Sequence, residues 1–222
     1  MTQAIAISRI HFPVTKLGPG RRVGIWLQGC SIRCPGCISA DTWAQDRGVT
    51  VVSEVLGAIT PWMPFAEGIT ISGGEPFDQP AALTALLTGI RTLSARDILV
   101  FTGHPLEAVA SQLASMEGLI DALIADPFDE GAPQTLALRG SDNQRLVPLT
   151  ALGRERFAGY ERHADARELS VDVMFDGNGE VWLAGIPARG DFRRLQQLLQ
   201  YGGAQVTISQ DKARSPHSRT QE

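Results

Sequence analysis

The sequence predicts an α/β protein, a partial, open (β/α)6 barrel with a small α+β extension at its carboxy-terminal end. Three observations carry that expectation. Short apolar runs alternate with amphipathic helical patterns about every 25 to 30 residues, the mark of βαβ units and a parallel sheet. These units number about six, short of the eight in a closed barrel. From about residue 165 the texture changes to two alternating strands around a Gly-rich turn, which reads as an antiparallel hairpin. The expected organisation is residues 1–160 as the partial barrel, 161–210 as the extension and 211–222 as a disordered tail. The tail "DKARSPHSRTQE" offers almost nothing to bury.

The elements follow in order. "AIAISRIHFPV" reads as one or two strands ending at Pro13, and "LGPGRR" as a Gly/Pro turn. "RVGIWLQG" is an apolar strand that delivers Cys30 at its carboxyl end. A helix near Ser53 sets Val55, Leu56 and Ile59 on one face, and Pro61 and Pro64 end it. "GITIS" is a short buried strand that stops at Gly73-Gly74. The next helix carries Leu83, Leu86, Leu87 and Ile90 at the spacing of an amphipathic face. "DILVFTG" is a strand, and Pro105 opens a helix with Leu106, Val109, Leu113 and Met116. "LIDALIADPF" and "QRLVPL" are further strands. In the extension, "LSVDVMF-DGNG-EVWLAGI" is the hairpin. A helix with Phe192, Leu195, Leu198 and Leu199 follows, and then the strand "AQVTIS".

Composition narrows the function classes. A chain of 222 residues with 43% hydrophobic and 20% charged residues suits one sizeable core. A net charge of −4 gives no electrostatic case for nucleic acid or an anionic membrane as partner. No apolar run approaches the roughly 20 residues of a membrane span. "MTQAIAISRIHF" lacks the features of a signal peptide, so the expected location is the cytoplasm.

The chain has three cysteines, Cys30, Cys34 and Cys37, spaced Cys-x3-Cys-x2-Cys. An odd set cannot all pair, so metal or redox chemistry comes before a disulfide scaffold. A structural zinc site needs four ligands, and the fourth would have to be the remote His11 or His104. A redox Cys34-Pro35-Gly36-Cys37 leaves Cys30 without a role. A [4Fe–4S] cluster with thiolates on three irons uses all three and leaves one iron open to a small molecule. Trp26, Trp43, Trp62 and Trp182 read as packing residues. His163 and His217 read as solvated, and so does His104, although its position at a strand end could turn it towards the site.

The CxxxCxxC spacing, with "ITISGGEPF" about 35 residues further on, resembles the radical S-adenosylmethionine enzymes. Within them the chain is most similar to the small activating enzymes of glycyl radical enzymes, the anaerobic ribonucleotide reductase branch especially. The matching pieces are "GPGRRVGIWLQGCSIRCPGCISADTW", "ITISGGEP", "ILVFTGHPLE", "IDALIADPF" and "LRGSDNQRL". The resemblance implies that Cys30, Cys34 and Cys37 ligate one cluster whose open iron chelates S-adenosylmethionine. Reductive cleavage of that cofactor then gives a 5′-deoxyadenosyl radical that abstracts hydrogen. It also implies that Gly36 and Ile38 lie against the adenine and that Gly73, Gly74 and Glu75 hold the methionine end. Thr102 reaches the ribose or carboxylate, or else caps the next helix; Asp126 lies nearby, or else begins a turn before Pro127. Arg139, Asn143 and Gln144 shape a partner-facing loop, or else satisfy a local turn. The implied partners are a glycyl radical enzyme, or another protein or peptide substrate, and a flavodoxin- or ferredoxin-type electron donor. A small molecule or nucleotide substrate, or a non-catalytic metal-binding adaptor, are the competing readings. Three features depart from the family pattern. Gly36 stands where many members have an aromatic residue, although the activating branch tends to have Gly there. Ile38 stands where that branch has Tyr. The lobe after residue 160 exceeds the minimal activating enzyme and reads as a docking element, or as a substrate lid or recognition module under the competing substrate reading.

Overall fold

The computed structural model describes residues 2–175, 181–203 and 205. Seven strands form one open sheet: β1 (Ala4–Val14), β2 (Arg22–Leu27), β3 (Val49–Val51), β4 (Gly68–Gly73), β5 (Asp97–Phe101), β6 (Ala122–Ala125) and β7 (Arg145–Pro148). Their spatial order is β3-β1-β2-β4-β5-β6-β7. The pairs β2/β4, β4/β5 and β5/β6 are parallel, whereas β1 joins β2 and β7 joins β6 antiparallel. The α/β expectation therefore holds as a mixed sheet. Six repeating units are not seen among the described residues; four parallel strands are flanked by antiparallel edges.

Helices α1 (Val52–Ile59), α2 (Pro80–Leu93) and α3 (Ala110–Ser115) link the parallel strands. Strand alternation sends side chains to two faces. Val23, Ile25, Leu27, Ile69, Ile71, Ile98, Val100 and Leu123 pack with Leu83, Leu86, Leu87 and Ile90 of α2 and with Val55 and Ile59 of α1. Trp26, Leu99, Ala122 and Ile124 point the other way, into a second core. That core also receives Phe157 of α4 (Ala151–Phe157) and Met174 and Ala184 of a hairpin, β8 (Val171–Phe175) with β9 (Val181–Gly185). A final helix, α5 (Asp191–Tyr201), carries the exposed Leu198 and Tyr201.

Helix α4 and the short β3 were not expected. Helix α4 lacks an apolar stripe: among its residues only Gly153 and Phe157 are buried. Gly153 is there for close approach, since a Cβ would lie 1.8 Å from the Asp121 carbonyl oxygen. The helix begins at Thr150, whose Oγ accepts from the Gly153 N–H at 3.0 Å. The turn over 176–180, the strand expected at "AQVTIS" apart from Gln205, and the tail lie outside the described residues. No described helix is long and apolar enough to cross a membrane.

Beneath the sheet, at the amino ends of the parallel strands, Arg22 is wholly buried. It pairs with Asp97 at 2.6 Å and donates to Thr70 at 2.6 Å and to the Ile69 carbonyl at 2.7 Å. Arg156 of α4 adds a second contact to Asp97 at 3.0 Å.

Candidate active site

Parallel strands place all their carboxyl ends on one edge of the sheet, where ligand sites in such folds gather. Strand β2 leads there to Cys30, β4 to Gly73-Gly74-Glu75, β5 to Thr102-Gly103 and β6 to Asp126. A cavity of about 220 Å³ opens at this edge, lined in part by Cys30, Cys34, Cys37, Ile38, Gly73, Gly74, Glu75 and Thr102.

The cysteine loop is built on backbone bonds. Gly29 N–H donates to Thr42 O at 2.7 Å and Cys30 N–H to Trp43 O at 3.3 Å, so the chain folds back beyond the third cysteine. Cys34-Pro35-Gly36-Cys37 is a tight turn closed by Cys37 N–H to Cys34 O at 3.2 Å. Proline at its second position and Gly36 at φ +75° suit a type II geometry. Backbone N–H groups face two of the sulfurs: Arg33 N–H donates to Cys30 at 3.5 Å and Ser39 N–H to Cys37 at 3.4 Å. Such donors stabilise sulfur-borne negative charge and tune a bound cluster. Burial pushes all three thiols up, Cys37 to about 11, so the thiols are protonated until a metal displaces the proton.

The glycine motif is welded to this loop. Gly74 N–H donates to Leu27 O and Glu75 N–H to Gly29 O, both at 2.8 Å. The two backbones lie so close that a Cβ on Gly74 would stand 1.9 Å from Gly29 O, and Gly73 adopts φ +106°. Ser31 adds a second tie, its N–H and hydroxyl donating to Asp78 at 2.7 and 2.8 Å.

Glu75 is buried, and three groups donate to its carboxylate: Phe77 N–H at 2.9 Å, the Thr102 hydroxyl at 2.8 Å and Gly103 N–H at 2.8 Å. Burial raises its pKa, and these donors and His104 oppose the rise. The Thr102 hydroxyl also accepts from His104 N–H at 3.1 Å. Thr102 thus lines the cavity while bracing Glu75.

Other expected residues stand further back. Gly36 supports the turn, and a Cβ there would meet the Glu130 carboxylate at 2.9 Å. Asp126 adopts φ +84° and is not among the cavity's lining residues; Arg145 grips its carboxylate at 2.6 and 2.8 Å and also holds Glu107. Asn143 donates to Pro127 O at 2.8 Å. Gln144 accepts from Gly140 N–H at 2.9 Å and lines the cavity. Arg139 is buried and paired with Glu161, and two of its guanidinium nitrogens lack a partner among the described residues. His104 contacts Asp78 and does not line the cavity.

The extension, read from the sequence as a docking element or a substrate lid, contributes residues that the sequence did not single out. Leu183 to Gly190 and Phe192 line the same cavity, together with Trp26, Phe101 and Phe128. The alternating pattern reveals the hairpin but not which surface it covers.

The donor set fits an iron–sulfur cluster. Three thiols occupy one loop, and N–H groups donate to two of them, Cys30 and Cys37. A cubane takes each thiolate on a separate iron.

Comparison with known proteins agrees. A family model described as a 4Fe-4S single cluster domain matches residues 16–147. The anaerobic ribonucleoside-triphosphate reductase-activating protein of Haemophilus influenzae is 30% identical over 57% of this chain and 87% of its own length. Its namesake in Enterobacteria phage T4 is 29% identical, over 58% and 85%. The pyruvate formate-lyase-activating enzyme of Staphylococcus epidermidis is 40% identical over 33% of this chain and 32% of its own length. With the match running from before the first cysteine into β7, the chain belongs to the 4Fe–4S single cluster domain family and is a radical S-adenosylmethionine enzyme of the activating type.

Proposed function

We propose that the protein activates a glycyl radical enzyme by abstracting hydrogen from a backbone glycine of that partner. One observation carries the reading: the cysteine loop and the Gly73-Gly74-Glu75 loop are hydrogen-bonded to each other and line one cavity. The names of the relatives support the partner class. When bound, a [4Fe–4S] cluster with S-adenosylmethionine on its open iron supplies an electron and a hydrogen-abstracting radical.

The chain's own residues perform the rest. Cys30, Cys34 and Cys37 would hold the cluster, and the N–H groups of Arg33 and Ser39 orient the Cys30 and Cys37 sulfurs. Gly73 and Gly74 let the cofactor's methionine end approach backbone, and Glu75, locked by Thr102 and Gly103, sets the anionic side of that pocket. Ile38 offers an apolar contact to the adenine. Gln144 and Gly140 line the cavity, which supports assigning the 139–144 loop to contact with the incoming partner. A flavodoxin- or ferredoxin-type protein is the electron donor.

The test is to combine the anaerobically loaded full chain, reductant and S-adenosylmethionine with an anaerobic ribonucleotide reductase from the same organism. A persistent protein radical on the reductase, with formation of 5′-deoxyadenosine, is the expected result. Formation of 5′-deoxyadenosine without any radical on the reductase redirects the reading to another substrate.

A further inference from the structure

The family match ends at residue 147, yet the cysteine cavity does not. Leu183, Ala184, Ile186, Pro187 and Phe192 form part of its wall, all from the extension. This segment is pinned at both ends. At one end, Asp172 of β8, paired in register with Ala184, accepts from Thr15 N–H at 2.6 Å and the Thr15 hydroxyl at 2.7 Å. At the other, the Arg189 guanidinium donates to the carbonyls of Asp129 and Ala132, at 3.1 and 2.6 Å, and to that of Glu130. It also lies 5.8 Å from the centre of the Phe128 ring. Gln134 adds a bond to Pro187 O at 2.9 Å.

The loop that Arg189 grips is the loop that supports the cysteines. Glu130 packs over Gly36 within the Cys34–Cys37 turn, and Phe128 lines the cavity beside the cysteines. One planar guanidinium therefore joins three carbonyls of that loop to the extension, a geometry lysine cannot reproduce.

We propose that Leu183–Phe192 is a closing strap over the cysteine cavity that selects by size what reaches the thiols, and that Arg189 is its positioning residue. The proposal takes from the preceding reading only that this cavity is the reacting site. Small molecules pass the strap; a bulky group or a partner's polypeptide reaches the cysteines only when the Arg189 contacts release.

The experiment uses the metal-free, reduced full chain and two thiol reagents, iodoacetamide and a bulky biotin-maleimide. Labelling of Cys34 and Cys37 is followed by mass spectrometry, and melting temperature is recorded for each variant. Wild-type protein is expected to favour the small reagent strongly, relative to the same pair's rates on an unfolded control. Arg189→Ala is expected to raise the bulky-reagent rate about tenfold while the small-reagent rate changes less than twofold, and Arg189→Lys to fall between. Glu54→Ala, which removes an exposed contact to Thr50 at the start of α1, away from the strap, is expected to keep wild-type selectivity. Equal size selectivity in Arg189→Ala and wild type, at unchanged melting temperature, overturns the strap. So does a loss of selectivity in Glu54→Ala as large as that in Arg189→Ala. Because no cofactor is present, the outcome is independent of whether the loaded protein generates a radical.

Discussion

The Thr102 hydroxyl donates to the Glu75 carboxylate at 2.8 Å, joining the end of β5 to the glycine loop at the end of β4. Neighbouring Gly103 N–H takes the other carboxylate oxygen. Removing the hydroxyl leaves a buried carboxylate one donor short. Thr102→Val is expected to destabilise the fold by about 1–3 kcal/mol and to weaken S-adenosylmethionine binding, whereas Thr102→Ser retains both. Denaturant unfolding and equilibrium binding of the cofactor by the loaded protein check this. Equal binding by the Val and Ser variants would remove Thr102 from the site.

Gly74 has no room for a side chain against Gly29 O. Gly74→Ala must push the glycine loop away from the backbone that presents Cys30. The chain is expected to fold but to retain less than half of the wild-type iron after loading and desalting. Iron and sulfide analysis beside circular dichroism is the check, and wild-type iron content would show that the two loops are not coupled.

The Arg22–Asp97 pair lies in the interior, away from the cavity. Breaking it by Asp97→Ala leaves a buried guanidinium with only neutral partners, so a loss of about 3–5 kcal/mol in unfolding free energy is expected. Any cluster that assembles in the folded fraction should keep its wild-type spectrum. An altered spectrum would place this pair in the site.

Arg145 holds the Glu107 carboxyl at about 2, below its ordinary value of 4.5. A lowered carboxyl favours the folded state above about pH 4.5, and that contribution fades as pH falls towards 2. Both groups face solvent, so added salt shrinks the effect. Carboxyl titration by NMR should find Glu107 depressed in the wild type and returned to the ordinary range in Arg145→Ala. An unshifted wild-type midpoint would mean that the Arg145 contacts are not maintained in solution.

Much of the site was legible in the sequence because its chemistry rests on residue types with few other uses. Three clustered thiols, and glycines where two backbones touch, are such residues. Alternating apolar runs likewise gave the parallel strands and α2. Helix α4 escaped because it is held by Gly153 and the Thr150 cap rather than by an apolar stripe. Thr102 and Asp126 were placed correctly at strand ends, but sequence cannot show that their polar groups already serve Glu75 and Arg145. A lid role for the extension was one sequence reading, but its tether was out of reach: the carbonyls that receive Arg189 belong to a loop about 60 residues earlier, and backbone carbonyls leave no mark in a sequence.

The central claim is an iron–sulfur centre held by three thiolates, with one position left for S-adenosylmethionine. Electron paramagnetic resonance of the anaerobically loaded, reduced protein, recorded with and without that cofactor, tests it most directly. The account predicts about four irons per chain and a cluster signal that changes when the cofactor is added. Protein that takes up no iron, or a cluster signal that S-adenosylmethionine leaves untouched, would contradict it.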